Sequence, residues 1–251
     1  MITELTIDKI KTGKGALIVG GSNGIGLAIT MLLAHYCDVY VADKVPPSSV
    51  VPINVHYIAL DLLEDDYSAL DTAMDIDKLI ITAGFGKLAL FKDFSEDQLR
   101  TMMGVNAVGV MRILQRYYSK IYSSANFYTS VMVSIAGFMS SPFYAVYGAS
   151  KAALKIFIES LNVELLKAGF SNQILNVSAG SIKGTSFNGG ETDLNEVFPF
   201  AEEILIRMMN KNDLYIDKYD EIFKEVLERY HKDFRTEGAH SYDYKLSSGR
   251  I

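Results

Sequence analysis

A glycine-rich turn between an apolar run and a helical segment constrains the fold of this chain more than any other feature. The apolar run 16–19 is followed by Gly20-Gly21-Ser22-Asn23-Gly24-Ile25-Gly26, and residues 27–33 then have a helical composition. Glycines permit positive φ and let the main chain approach a pyrophosphate, which the amide groups at the start of the next helix can bind. The pattern predicts a strand, a turn and a helix that bind a dinucleotide. A tight turn without a ligand is the alternative, whereas a mononucleotide P-loop is disfavoured because Gly-Lys-Ser/Thr is missing.

Short apolar runs alternate with longer segments of helical period along the rest of the chain. We predict strands near residues 15–20, 38–42, 55–59, 78–82, 127–134 and 173–178. This alternation indicates an α/β fold, a Rossmann-type doubly wound parallel sheet with helices on both faces. Three prolines, Pro46, Pro47 and Pro52, predict that an extended loop replaces the crossover helix between the second and third strands.

Length and composition narrow the class of protein. A chain of 251 residues with 49% hydrophobic content is sufficient for one large core, so we predict a single domain over residues 1–251. No apolar run approaches the roughly 18 to 20 residues that cross a bilayer, and the net charge of −6 argues against a nucleic-acid partner. The four histidines have no metal-ligand spacing and Cys37 is the only cysteine. We therefore expect a cytoplasmic protein without a metal, a membrane partner or a nucleic-acid partner.

Tyr147 and Lys151 form the second informative motif. They are four residues apart at the start of a strongly helical segment, so both side chains lie on one helical face. A phenol titrates near pH ~10, and a neighbouring cation lowers its pKa by favouring phenolate. Such a pair can make a tyrosine an acid or a base, although Tyr-x-x-x-Lys alone is common on helix surfaces.

Together the two motifs resemble those of the short-chain dehydrogenases/reductases in their compact single-domain form. The likeness runs from about Gly13 to Thr185 and includes the spacing Gly-x-x-x-Gly-x-Gly at Gly20, Gly24 and Gly26. The resemblance implies an NAD(P)-binding Rossmann domain and an oxidoreductase that acts on a small carbonyl or alcohol substrate.

The resemblance also implies a catalytic set. Ser134 lies thirteen residues before Tyr147 and matches the catalytic serine, and Asn106 matches the asparagine that holds a water near the lysine. With Lys151 they complete an Asn-Ser-Tyr-Lys set. Considered singly, Ser134 could cap a strand and Asn106 could hydrogen-bond a helix backbone.

Further positions are expected to bind the cofactor. Asp43 ends the second strand, where a carboxylate accepts hydrogen bonds from the adenosine ribose and repels a 2′-phosphate, so NAD(H) is favoured over NADP(H). Lys44 complicates this prediction, because NADP-users often carry a basic residue there or at the position of Asn23. The full set of predicted cofactor-binding residues is Gly20, Ser22, Asn23, Gly24, Ile25, Gly26, Asp43, Lys44, Asp61, Leu62, Ala83, Gly84, Tyr147, Lys151, Gly180, Ile182 and Thr185.

The function we predict is hydride transfer between a nicotinamide cofactor and a carbonyl or secondary alcohol, with Tyr147 as acid or base. A non-redox epimerase on the same scaffold and a non-catalytic NAD(H)-binding sensor or scaffold are the alternatives. The resemblance places a mobile substrate lid at about 186–214. After it, apolar residues at helical spacing predict an amphipathic helix within the C-terminal segment 216–251. A homodimer or homotetramer is expected through the helices around 99–122 and 147–167.

Overall fold

The fold is that of a computed structural model, which describes residues 3–73, 75–188 and 191–247. Within these residues, seven strands form one parallel sheet in the order β3-β2-β1-β4-β5-β6-β7. Strand order reverses beside β1, because β2 and β3 lie on one side of it and β4 on the other. In such sheets ligands bind outside the carboxyl ends of the strands at this reversal. The doubly wound α/β fold is therefore confirmed.

Eight helices connect or flank the strands in the described part of the chain. The strands are β1 Gly15–Val19, β2 Val39–Asp43, β3 Val55–Ala59, β4 Ile76–Ile81, β5 Tyr128–Met132, β6 Ile174–Ser178 and β7 Leu214–Ile216. The helices are α1 Glu4–Lys11, α2 Gly24–Leu33, α3 Glu96–Met103, α4 Val110–Ile121, α5 Ala145–Lys167, α6 Leu194–Met209, α7 Lys224–Lys232 and α8 Phe234–Ser247. A π-helix, Gly104–Gly109, joins α3 to α4, and a second, Tyr219–Phe223, leads into α7.

Two hydrophobic cores lie on opposite faces of the sheet. One is covered by α4 and α5 and contains Ile113, Leu114 and Leu154. The other is covered by α1, α2 and α6. Strand residues alternate between the two cores because successive side chains of a strand point to opposite faces. Burial on both faces explains why the central strands are continuous apolar runs.

The six predicted strands are present, and so is the predicted loop. Residues 44–54 contain no helix, as the prolines indicated. The seventh strand, Leu214–Ile216, was missed because three residues are too few to show a periodic pattern. The helix predicted at the start of the C-terminal segment begins only after this strand, at Tyr219.

The segment predicted as a substrate lid, 186–214, consists mostly of α6. The side chains Phe200, Ile204, Met208 and Met209 of this helix are buried in the second core, whereas Ser186 and Phe187 before it line the main cleft. Gly189 and Gly190 lie outside the described residues. The lid itself stays a prediction.

Helices α7 and α8, together with the π-helix before them, form what we call the C-terminal arm, residues 219–247. The arm packs on the carboxyl-end side of the sheet, and two of its contacts involve aromatic rings. Phe223 lies against Gly180, where an added Cβ would be 3.0 Å from the ring. Tyr242 stacks on Phe143, with ring centroids 4.6 Å apart. The arm therefore covers the edge of the sheet at which a ligand is expected.

Candidate active site

A cleft of about 990 Å³ opens at the carboxyl ends of the parallel strands. Its walls come from the turns after β1, β2, β4, β5 and β6, from the start of α5 and from the C-terminal arm. Most predicted site residues line it. These are Gly20, Asn23, Gly24, Ile25, Gly26, Asp43, Lys44, Asp61, Leu62, Ala83, Gly84, Ser134, Tyr147, Lys151, Gly180, Ile182 and Thr185.

Two glycines of the glycine turn leave no room for a side chain. Gly20 has φ +88, and a Cβ there would be 2.4 Å from the amide nitrogen of Ala83. A Cβ on Gly26 would be 2.1 Å from the carbonyl oxygen of Gly20. Gly24 begins α2 with φ +52, and a Cβ there would make only ordinary contact with Thr185, at 3.9 Å. The main chain and the positive end of α2 therefore line the cleft directly, which fits the pyrophosphate of a dinucleotide.

Ser22, a predicted cofactor contact, does not line the cleft. Its side chain is buried and donates a hydrogen bond to the carbonyl of Val45 at 2.6 Å, while its amide donates to Oδ2 of Asp43 at 3.0 Å. Ser22 thus ties the glycine turn to the end of β2. The sequence motif identified the turn but did not show which of its side chains turn inward.

Three charged groups mark the adenosine end of the cleft. Both carboxylate oxygens of Asp43 accept backbone amides, Oδ2 from Ser22 and Oδ1 from Lys44 at 2.7 Å. The ammonium of Lys44 lies 2.7 Å from Oδ2 of Asp61. This hydrogen bond lowers the pKa of Asp61, so the carboxylate stays ionised. Asp43 is fixed at the end of β2, and Lys44 leans towards Asp61.

The turn after β4 carries a brace that the sequence analysis did not identify. Thr82 donates a hydrogen bond from Oγ1 to the carbonyl of Gly20 at 2.9 Å. This bond joins the β4 turn to the glycine turn.

Asn106 lies in the π-helix and is fully buried behind the cleft wall rather than lining it. Its Oδ1 accepts the amide of Phe85 at 3.0 Å, and its Nδ2 donates to the carbonyl of Phe85 and to Oγ of Ser150. A Cβ on Gly84 would be 3.2 Å from both Asn106 Oδ1 and Lys151 Nζ. Asn106 therefore holds the β4 turn against α5, close to the lysine.

Ser134 and Tyr147 meet in the centre of the cleft. Ser134 follows β5, and its Oγ accepts the amide of Ala136 at 3.2 Å. Tyr147 lies in the first turn of α5 and is buried to 8% exposure. Burial raises the pKa of Tyr147 to about 12, and a hydrogen bond with Ser134 opposes that rise. The phenol is protonated at neutral pH.

Lys151 is one turn beyond Tyr147 on the same face of α5, as predicted. Its ammonium donates to the carbonyl of Met132 at 2.9 Å and lies 5.8 Å from the centroid of the Tyr147 ring. Burial lowers the pKa of Lys151 to about 8. The sequence analysis expected the lysine to lower the pKa of Tyr147, but in this structure burial outweighs any such effect.

The turn after β6 closes the cleft beside the glycine turn. Thr185 donates from Oγ1 to the carbonyl of Ile182 at 2.9 Å, and it lies next to Gly24. Gly180 is covered by Phe223 of the arm. The predicted positions Gly180, Ile182 and Thr185 thus lie together beside the glycine turn.

Phe187, at the start of the predicted lid, lies 5.5 Å from Tyr147 between ring centroids. The contribution of the C-terminal arm to the cleft was not predicted from the sequence. The arm contributes Ile222, Phe223, Val226, Arg229, Glu237, His240, Ser241, Tyr244 and Lys245. The helical spacing of residues 216–230 was visible in the sequence, but it did not reveal that this helix folds back over the cleft.

The described residues contain no cluster of three or more potential metal ligands among His, Cys, Asp and Glu. In the same ranges, no helix is both long and apolar enough to cross a membrane.

Known proteins resemble this chain in sequence and in fold. The sequence profile described as short chain dehydrogenase matches residues 14–193. Dehydrogenase RED2 of Cochliobolus heterostrophus is 32% identical over 160 residues, which is 60% of this chain and 60% of that protein. A Burkholderia cenocepacia short chain dehydrogenase in complex with NADP has a TM-score of 0.75 at 20% identity, covering 92% of this chain and 98% of that chain. A Burkholderia phymatum short chain dehydrogenase/reductase in complex with NAD has a TM-score of 0.73 at 17% identity, covering 89% and 95%.

Proposed function

The chain belongs to the short-chain dehydrogenase family of oxidoreductases, and we propose that it transfers a hydride between NAD(H) and a carbonyl or secondary alcohol. The substrate is a small molecule. One observation carries the proposal: Ser134, Tyr147 and Lys151 line the same cleft as the glycine turn. A bound nicotinamide supplies the hydride donor or acceptor, and every other step uses groups of the chain.

Tyr147 is the proton donor when a carbonyl is reduced. Its pKa of about 12 keeps the phenol protonated at neutral pH, ready to protonate the oxygen as negative charge develops there. Ser134 hydrogen-bonds the same oxygen and stabilises that charge. In the oxidation direction Tyr147 removes the proton instead, and the high pKa makes this direction favour alkaline pH.

Lys151 and Asn106 support Tyr147 from behind. Lys151 holds a buried ammonium on the same helical face and is positioned to bind the ribose hydroxyls of the cofactor. Its pKa of about 8 means that this charge is partly lost just above neutral pH. Asn106 is a positioning residue, because it fixes the backbone of Phe85 beside the lysine.

NAD(H) is the preferred cofactor in this proposal. The fixed carboxylate of Asp43 suits two ribose hydroxyls and repels a 2′-phosphate. Lys44, the cation next to Asp43 in the chain, is engaged by Asp61. Apparent KM values for NADH and NADPH test the preference, and Asp43→Ala should narrow the difference. A wild-type preference for NADPH would contradict it.

The experiment that tests the function is a panel of ketones, aldehydes and secondary alcohols, followed at the absorbance of NADH. Net conversion of NADH separates redox turnover from an epimerase and from a non-catalytic sensor. Tyr147→Phe should abolish turnover while leaving NADH binding intact, and Tyr144→Phe, which alters the neighbouring ring, is the matched control. Turnover by Tyr147→Phe close to that of the wild type would refute the mechanism.

A homodimer or homotetramer belongs to the same proposal. The outward faces of α4 and α5 expose Tyr122, Ile156, Val163 and Leu166, which suits helix packing between subunits. Light scattering at micromolar concentration should show an oligomer, and Leu166→Lys should weaken it. A wild-type protein that is monomeric there would contradict this part. A cytoplasmic location also stays a prediction, which fractionation of the producing cells can check.

A further inference from the structure

Phe143, in the loop just before α5, adopts a backbone conformation that bulky residues rarely take. Its φ is +66, in the left-handed region. A side chain in this region crowds its own main chain, which makes the conformation unfavourable for any residue that has a Cβ. Such strain persists only where the surrounding structure holds the residue in place. The contacts around Phe143 are therefore informative.

Hydrogen bonds from two distant parts of the chain hold the main chain at this point. The carbonyl of Phe143 accepts the amide of Ala89 at 2.9 Å, from the segment that follows β4. The carbonyl of the preceding residue, Pro142, accepts Nζ of Lys245 of α8 at 2.8 Å. Two successive carbonyls of the loop are thus fixed in direction, so the peptide groups on either side of them have little freedom to rotate.

The side chain of Phe143 is also held in place. It is only 5% exposed, and its ring stacks on that of Tyr242 of α8 with centroids 4.6 Å apart. Neither ring is among the described side chains that line the cleft. Phe143 therefore does not touch a ligand in the cleft, and any effect that it has on the reaction passes through its neighbours.

Those neighbours lead directly to Tyr147. Tyr144 follows Phe143 in the chain, and its ring centroid lies 5.3 Å from that of Tyr147. The carbonyl of Tyr144 accepts the amide of Gly148 at 2.7 Å, in the first turn of α5. Tyr147 lies in the same turn and forms a hydrogen bond with Ser134. A rotation of the backbone at Phe143 would turn the start of α5 and move the phenol relative to Ser134.

Building on the function proposed above, we propose that Phe143 is a positioning residue for Tyr147. Its left-handed backbone directs the start of α5 so that the phenol faces Ser134. The stack on Tyr242 and the hydrogen bond from Ala89 stabilise this conformation against its strain. The geometry matters for the rate, because a misplacement of about 1 Å can slow an enzyme reaction by about 100-fold.

Glycine and alanine at this position separate the effect of the backbone from that of the ring. Both Phe143→Ala and Phe143→Gly remove the ring, but only glycine adopts φ +66 without strain. In single-turnover reduction of a carbonyl found with the panel above, Phe143→Ala should slow NADH oxidation by about 10- to 100-fold. Phe143→Gly should react at least about fivefold faster than Phe143→Ala, because the strain is absent. The KM for NADH should stay at the wild-type value in both variants.

Lys211 offers a matched control outside the cleft. It has φ +55 and donates hydrogen bonds to Asn126 and Ser171, and it is not among the described residues that line the cleft. Thermal unfolding should show that glycine is more stable than alanine at Lys211 as well as at Phe143. The single-turnover rates of Lys211→Ala and Lys211→Gly should nevertheless equal that of the wild type, because only the loop before α5 directs Tyr147.

Fluorine NMR of 3-fluorotyrosine in place of Tyr147 reports on the surroundings of the phenol without turnover. Phe143→Ala should shift this resonance, and Phe143→Gly should return it close to the wild-type position. Tyr242→Leu, which weakens the hold on Phe143 and leaves the loop sequence intact, should shift the resonance and slow the single turnover. Tyr242→Leu decides the matter if Phe143→Ala does not fold.

The outcomes separate this inference from the proposed function. If the wild type reduces no carbonyl, the function fails, and the fluorine resonance still shows whether Phe143 positions Tyr147. If carbonyls are reduced but Phe143→Gly is no faster than Phe143→Ala, the ring matters rather than the backbone, and the inference is wrong while the function stands. Wild-type rates and resonances in Phe143→Ala and Tyr242→Leu would also overturn it.

Discussion

Lys151→Met tests the buried ammonium at the centre of the site through protein stability alone. Burial lowers the pKa of Lys151 from 10.5 to about 8. A difference of one pH unit corresponds to about 1.4 kcal/mol, so the protonated lysine destabilises the folded state by about 3 kcal/mol relative to a neutral amine. Methionine has a similar shape but leaves the carbonyl of Met132 without its donor, which costs about 1 kcal/mol. At pH 7 the variant should therefore be about 2 kcal/mol more stable than the wild type.

The stability difference between Lys151→Met and the wild type should change with pH. Below pH 8 the lysine is protonated in both the folded and unfolded states, and the destabilisation is complete. Between pH 8 and pH 10.5 the unfolded state binds more protons, so the stability of the wild type rises with pH. Because methionine does not titrate, the advantage of Lys151→Met should shrink through this range and become a deficit of about 1 kcal/mol at its upper end.

Urea unfolding without cofactor, followed by far-ultraviolet circular dichroism across this pH range, measures the difference. Other titrating groups are common to both proteins and largely cancel. Lys44→Met is the control, because the bond to Asp61 raises the pKa of Lys44. The stabilisation from this bond is lost only above pH 10.5, so the difference in unfolding free energy between Lys44→Met and the wild type should stay constant between pH 8 and pH 10.5. If the Lys151→Met and wild-type curves run parallel, the ammonium is not desolvated as the structure indicates.

Three further outcomes follow from the site. Tyr147→Phe should lower the rate of carbonyl reduction by a factor of about 10² to 10⁴. Because the pKa of Tyr147 is about 12, the pH profile of the wild-type reduction rate should show no loss of activity centred near pH 7. Gly26→Ala places a methyl 2.1 Å from the carbonyl of Gly20 and should abolish NADH binding or unfold the turn. Gly24→Ala has room for its methyl, so thermal unfolding should show a loss of stability of only about 1 to 3 kcal/mol, which comes from its positive φ. Thr82→Val removes the hydrogen bond to Gly20, so it should lower the free energy of unfolding by about 1 kcal/mol and weaken NADH binding in a fluorescence titration. Unchanged affinity and stability would show that this hydrogen bond is dispensable.

The C-terminal arm and the residues that match the family profile both line the cleft. Residues 14–193, which match the family profile, contain the glycine turn and the residues we propose for catalysis. The arm lies entirely beyond that match, yet it supplies much of the substrate wall. The residues that we propose for catalysis and the arm that lines the same cleft thus come from different parts of the sequence.

Local patterns were enough to predict six of the strands and most of the positions that line the cleft. Apolar runs, the glycines at Gly20, Gly24 and Gly26, and the four-residue spacing of Tyr147 and Lys151 are short-range signals, because strand alternation and helical periodicity act over a few residues. The pattern also predicted correctly that no helix links β2 and β3, since proline removes the donors that a helix needs.

Tertiary structure alone decided three other features. Ser22 and Asn106 turned out to brace the cleft rather than line it, because the direction of a side chain depends on which neighbour can accept its hydrogen bonds. The pKa values of Tyr147 and Lys151 depended on burial, which the spacing of two residues does not report. The segment 186–214 puts most of its length into the core helix α6 and only its first residues into the cleft, and the arm also lines the cleft. Both segments carry apolar faces, and only packing against the completed sheet determines what each face contacts.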